Sequence, residues 1–243
     1  MEVNYRIESN RPLARDIMEI RLIGDNSRIQ RPGQFVNLRI DGCFLRRPLS
    51  VCSVDGDRLT LIYKIVGKGT EILSHLPVGS TLNALTGLGN GFDITASGPR
   101  PLLIGGGVGV PPLYQLCRSL VDAGSSPIVA IGFNRADEVF YTEEFTRLGA
   151  DVRLATADGS LGTRGFVTDI VRLLPDYSYF YACGPEAMFR ALEPVLTTPG
   201  EYSFEEHMGC GFGACMGCSC KTKYGYKRLC TEGPVLRREE VIW

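Results

Sequence analysis

Leu59, Leu61, Tyr63 and Ile65 alternate with Thr60, Ile62 and Lys64, directly after Asp55-Gly56-Asp57. Apolar residues at a period of two behind a Gly-containing turn predict the second arm of a β-hairpin. Short runs of Val, Ile, Leu and Tyr bounded by Gly, Asp, Asn and Pro continue this pattern from Met1 to about Ser97. Several short strands at regular spacing predict a small antiparallel barrel. One helical stretch, Thr70 to Leu76, interrupts them.

After Gly98-Pro99-Arg100 the period changes. Leu102 to Ile104 is a compact apolar strand, Gly105 to Gly109 a turn, and Pro111 to Ala123 carries Leu113, Leu116, Leu120 and Val121 at helical spacing. The pattern then predicts a strand over 128–133, a helix over 142–148, a strand over 152–156, a helix over 166–174, a strand over 177–183 and a helix over 186–196. Strands alternating with helices imply a parallel sheet covered on both faces, with ligands at the carboxyl ends of its strands. Thr197-Thr198-Pro199-Gly200 closes this unit, so the expected boundaries are 1–97, 98–199 and 200–243.

The last segment carries the most specific chemistry. Cys210, Cys215 and Cys218 stand at the C-x4-C-x2-C spacing of plant-type 2Fe-2S ferredoxins, and Cys230 is the natural fourth ligand. Gly209, Gly211, Gly213 and Gly217 interleave with the thiols, which suits a loop that turns its backbone N–H groups toward an anionic cluster. Zinc, a disulfide pair and plain buried thiols are the competing readings, but structural zinc sites usually bring two close Cys pairs on separate knuckles. Cys220 is left as a spare, since its use would place two ligands one residue apart. A Rieske centre needs two histidines, and the two present, His75 and His207, are far apart. The gap from Cys218 to Cys230 is shorter than in ferredoxins, so the fold around the cluster must differ from theirs.

Three further stretches are candidate binding sites. Gly105, Gly106, Gly107 and Gly109 lie where a strand hands over to a helix, a place where a pyrophosphate can approach bare backbone and N–H donors. The spacing is not G-x-G-x-x-G, and a crowded turn is the alternative. Arg47-Pro48-Leu49-Ser50 offers a guanidinium for phosphate and a hydroxyl for a ring nitrogen, against a solvated Arg beside a strand start, which residue chemistry alone favours. Lys64-Ile65-Val66 leads through Gly67-Lys68 to Gly69-Thr70, whose N–H groups face the same choice between phosphate and simple turn. Cys183-Gly184-Pro185 ends the last strand; Cys183 is expected to face the crevice or merely to pack. Asn134, Arg135, Asp137 and Glu138 follow the second strand, where an acid favours a free ribose 2′-hydroxyl and a base a 2′-phosphate. Both are present, with a lean toward NAD.

Taken together, Arg47 to Ser50, Gly105 to Pro111 and Cys183 to Pro185 resemble the ferredoxin-NADP reductase superfamily in order and spacing. With Cys210, Cys215, Cys218 and Cys230 added, nearly the whole chain resembles the iron-sulfur electron-transfer subunits of class 1B dihydroorotate dehydrogenases, including the segment Thr156 to Asp169. The resemblance implies a multidomain β plus α/β chain: an antiparallel FAD-binding β-barrel, a parallel-sheet NAD-binding domain and a small C-terminal 2Fe-2S segment. It implies that Arg47 to Ser50, Lys64 to Val66 and Gly69-Thr70 cradle FAD, and that the Gly105 turn with Cys183 to Pro185 receives NAD. It further implies that electrons from dihydroorotate, in pyrimidine biosynthesis, arrive through FMN on a separate catalytic subunit, in a heterotetramer of two copies of each chain. The chain shows no catalytic base of its own for dihydroorotate, and no catalytic residue is assigned. A reductase subunit of a hydrogenase, a sulfite reductase or a bifurcating ferredoxin-NADP reductase is the nearest alternative. A flavin- or metal-binding regulatory module is the more distant one.

Composition narrows the class. A formal net charge of −1 without a basic run gives nucleic acid no footing. No apolar run is long enough to cross a bilayer, and the nine cysteines, five of them clustered near the C-terminus, suit a reducing compartment. A soluble, cytoplasmic protein is expected. Trp243 is expected either against the cluster loop or against the partner.

Overall fold

The computed structural model describes residues 1–174 and 176–243. Strands β1 (Glu2–Ala14), β2 (Ile17–Ile23), β3 (Phe35–Leu38), β4 (Arg47–Asp55), β5 (Arg58–Lys64) and β6 (Thr81–Leu88) close into an antiparallel barrel in the order β1-β2-β5-β4-β3-β6. The β4–β5 hairpin turns at Gly56, whose φ of 60° is open to glycine, and Asp55 pairs with Arg58 across it. Leu59, Leu61 and Tyr63 fill the barrel with Tyr5, Ile20 and Leu38. Helix α1 (Lys68–Ser74) is the single helix predicted there, starting two residues earlier than the periodicity indicated.

Thr60 and Ile62, on the other face of β5, are also buried. That face is covered by the second unit: Ile17, Cys52 and Ile62 share an apolar cluster with Leu113, Leu116 and Cys117 of α2 (Pro111–Asp122). Polar clamps fasten the same seam. Gln115 Oε1 accepts from Val54 N at 3.0 Å, and Tyr141 donates to Glu19 Oε2 at 3.2 Å.

The second unit is built on β7 (Leu102–Gly106), β8 (Ile128–Phe133), β9 (Asp151–Thr156), β10 (Thr163–Arg164) and β11 (Phe180–Cys183), with α3 (Thr142–Arg147), α4 (Val167–Val171) and α5 (Glu186–Leu192). Its central strands β7, β8 and β11 are near-continuously apolar and buried on both faces, as expected of a parallel sheet. Two differences from the sequence reading stand out. Gly105 and Gly106 belong to strand β7, and the turn proper is a short 3₁₀ segment from Gly107 to Gly109. The sheet also continues past residue 199: β12 (Gly200–Ser203) runs parallel to β11, and β15 (Val235–Arg237) pairs antiparallel with β12. Strands this short, separated by a long cysteine-rich excursion, carry no legible periodicity.

Between them, β13 (Ser219–Thr222) and β14 (Gly225–Arg228) form a hairpin that the Lys227–Glu240 ion pair at 2.7 Å ties to the C-terminal turn. Trp243 is half-buried and packs on the sheet. It sits edge-on to Tyr202 of β12, with ring centroids 5.1 Å apart, and beside Phe204. Among the described residues no helix is long and apolar enough to cross a membrane.

Candidate functional site

The four predicted cluster cysteines converge in two pairs. Cys210 and Cys215 face one another: Cys215 N donates to Cys210 Sγ at 3.4 Å, and Cys210 N to Cys215 Sγ at 3.4 Å. Cys218 and Cys230, both buried, form the other pair, with Cys230 N donating to Cys218 Sγ at 3.4 Å. Among the described residues no three His, Cys, Asp or Glu side chains gather around a single-ion position. Two thiol pairs suit a binuclear centre in which each iron takes two thiolates.

The loop backbone is built for anionic sulfur. Phe212 N and Ala214 N also point at Cys210 Sγ, at 3.5 and 3.2 Å, and Gly217 N points at Cys215 Sγ at 3.5 Å. Burial works against ionisation of Cys210, but the N–H groups of Phe212, Cys215 and Ala214 outweigh it and bring the thiol down to about 6. Cys230, with burial and the Cys218 thiol beside it, is pushed up to about 11. Gly211 and Gly213 take φ of 79° and 89°, and Met216 takes 61°, so the loop adopts left-handed turns that let its N–H groups face inward. Arg228 holds the loop from outside, donating to Gly213 O at 3.0 Å. Cys220 lies apart on β13, its thiol against Lys221 O. His207 is exposed, and His75 lies in the barrel unit beside α1.

Arg47 and Gly69 are brought together as well. The Arg47 guanidinium lies so close over Gly69 that a β-carbon there would collide with it. Thr70 Oγ1 accepts from Val66 N at 3.0 Å and donates to Gly67 O at 3.0 Å, which shapes the turn from β5 into α1. The result is a cation poised over bare backbone at the start of a helix, suited to a pyrophosphate. On β4, Pro48 and Ser50 pair with Asn37 and Phe35 of β3, whereas Leu49 packs at the edge of the barrel core.

A cleft of about 550 Å³ opens at the carboxyl ends of β7, β8 and β11. Gly106, Gly107, Gly109, Gly184 and Pro185 line it, and Lys64 reaches it from the barrel. Cys183 does not: its thiol is buried beneath Ser203, held well above the usual thiol range by burial first and Glu205 second. What Cys183 presents is its backbone, against which Gly109 packs. Of the other residues expected to cradle FAD, Ile65 packs at the edge of the barrel core and Val66 is exposed. Glu138 and Asn134 border the cleft, and Glu138 Oε2 accepts from Asn134 Nδ2 at 2.9 Å. Arg135 turns instead to Asp137, at 3.4 Å.

Several lining groups escaped the sequence reading. Phe166, Val167 and Thr168 come from the segment after β9, Met188 from α5, and Glu205 from the strand end beyond β12. Only the Thr156–Asp169 segment had any signal, through its family resemblance. Asn37 had none.

Two family models match the chain: the iron-sulfur cluster binding domain of dihydroorotate dehydrogenase B over residues 205–242, and an oxidoreductase NAD-binding domain over residues 103–193. A Geobacillus sp. (strain WCH70) protein, the electron transfer subunit of dihydroorotate dehydrogenase B (NAD(+)), is 42% identical over 96% of this chain and 95% of its own length. The solved structure of an NADH-dependent reduced ferredoxin-NADP oxidoreductase, studied for flavin-based electron bifurcation, superposes with a TM-score of 0.89. It is 30% identical, over 98% of this chain and 90% of that one. The flavohem-like FAD/NAD-binding domain of nitric oxide dioxygenase from Vibrio cholerae O1 biovar El Tor shares the fold at a TM-score of 0.65. That match has 17% identity over 79% of this chain and 91% of that one.

Proposed function

The chain belongs to the family of dihydroorotate dehydrogenase B (NAD(+)) electron transfer subunits, and from that membership we propose how its residues divide the work. Cys210, Cys215, Cys218 and Cys230 hold a 2Fe-2S cluster. Arg47 to Ser50, Lys64 to Val66 and Gly69-Thr70 hold FAD, with Arg47 and the Gly69-Thr70 N–H groups on its pyrophosphate. Gly106, Gly107 and Gly109, with the backbone of Cys183-Gly184-Pro185, receive NAD in the cleft, and Gly105, buried in β7 behind them, seats the turn against Val110, Leu113 and Ile131. Nicotinamide exchanges a hydride and an iron-sulfur centre single electrons, so a flavin between them supplies the conversion.

One observation carries this reading: β4, with the Arg47–Ser50 motif, is one strand away from the Cys210 loop, and the nicotinamide cleft opens at the barrel-sheet seam, lined in part by Lys64 at the end of β5. The chain's own contribution is placement. Gly106, Gly109 and Gly184 let the two turns and Met188 close up against one another beneath the cleft, Gly107 leaves its backbone open, and the seam of Ile17, Cys52 and Ile62 against α2 fixes the two binding units relative to each other. Glu138 at the cleft margin supports NAD over its 2′-phosphorylated form.

The electrons come from dihydroorotate through a separate FMN-containing catalytic subunit, in a cytoplasmic heterotetramer of two copies of each chain. The likeness to the ferredoxin-NADP oxidoreductase structure supports a second reading, the same relay serving a different partner. Purified anaerobically, the protein should contain about two irons, two sulfides and one FAD per chain, and NADH should bleach its flavin absorption. A colourless preparation overturns the cofactor assignment. Failure to co-elute with a dihydroorotate-oxidising FMN subunit, together with co-elution with another oxidoreductase, selects the second reading.

A further inference from the structure

Asn37 is a polar side chain in an apolar place. It lies on β3 with no exposed surface, and neither Nδ2 nor Oδ1 of its amide has a hydrogen-bond partner. Its neighbours on the strand, Val36 and Leu38, point into the barrel, so Asn37 and Phe35 point outward. Outward here means toward the cluster. Phe35 shares an apolar cluster with Cys218, Leu229 and Cys230, and the Asn37 amide lies against Gly211, the residue after Cys210. A β-carbon at Gly211 would collide with Nδ2, so the donor end of the amide is the one that meets the loop.

An orphaned amide in an interior costs free energy that a leucine of the same shape would not. The loop N–H groups of Phe212, Ala214 and Cys215 could serve only Oδ1, and they are themselves directed at Cys210 Sγ. At the Nδ2 end, which faces Gly211, what the site lacks is an acceptor, and the sulfur shell of an iron-sulfur centre on Cys210 and Cys215 supplies one. We infer that Asn37 donates its side-chain N–H to a sulfur of the 2Fe-2S centre, joining the β3–β4 strand pair to the cluster and raising the cluster's reduction potential. Reduction adds negative charge to the centre, and an N–H dipole aimed at its sulfur stabilises the reduced form more than the oxidised one. Asn37 also pairs in register with Pro48 of the proposed flavin strand.

This inference rests on the cluster assignment above, and iron and sulfide content tests the two separately. The experiment uses the holoprotein with asparagine side-chain amides labelled with ¹⁵N, reduced and studied by pulsed electron paramagnetic resonance. A ¹⁵N coupling to the cluster spin is expected, and it should vanish in Asn37→Leu. Asn37→Leu should keep its iron and sulfide and show a midpoint potential shifted to more negative values, while Asn37→Gln, which keeps the donor, should restore part of the shift. A loaded cluster with no asparagine coupling overturns the inference. So does an unchanged midpoint in Asn37→Leu. Should Asn37→Leu fail to load, the labelled wild-type spectrum alone decides.

Discussion

Gly109 packs directly against the Cys183 carbonyl, leaving no room for a β-carbon before the Cys183–Gly184 peptide. The two glycine-containing motifs of the cleft, some seventy residues apart in sequence, are therefore one surface. Gly109→Ala must push the 3₁₀ turn and the β11 end apart, at a cost of roughly 1–3 kcal/mol. KM for NADH should rise about 10-fold or more with FAD content unchanged, measured by steady-state diaphorase assay and flavin extraction.

Arg47 over Gly69 makes a second prediction. A charge-assisted bond to phosphate is worth roughly 1.5–3 kcal/mol, so Arg47→Ala should weaken FAD binding roughly 10- to 100-fold. Flavin retained through gel filtration reads this directly, and full occupancy would contradict the assignment. Iron content should not change.

Cys215→Ser should remove the cluster's visible absorption and its sulfide while leaving FAD bound, because the Arg47 and Gly69 site shares no residue with the loop. An unaltered spectrum would mean that the ligand set is wrong.

Glu201 provides a pH-dependent stability test. It is buried on β12, and burial first, with Asp93 nearby as a smaller contribution, raises its carboxyl to about 7 from 4.5, although Asp93 N donates to it at 3.0 Å. Its folded pKa lies above its unfolded one. Its stabilising contribution is therefore complete below about pH 4.5 and is lost as pH rises through about 7. Glu201→Gln removes that dependence. The melting temperature of the variant relative to wild type should climb between pH 5 and 8, by an amount equivalent to about 2–3 kcal/mol at most.

Much of the fold and of the chemistry was legible in the chain itself. The period-two run of Leu59, Leu61 and Tyr63, the switch to helical spacing at Leu113 and Leu116, and the spacing of Cys210, Cys215 and Cys218 are local signals, set by covalent neighbours and elementary backbone geometry. They identified a barrel, a parallel sheet and a thiol-rich loop. Tertiary structure alone decided what those parts do to one another: that β12 and β15 extend the sheet, that the Cys183 thiol packs while its carbonyl meets Gly109, and that Asn37 is sealed against the cluster loop. Such relationships join residues tens to hundreds of positions apart, and burial, which turns an ordinary asparagine into an unsatisfied donor, exists only once the chain has closed around it.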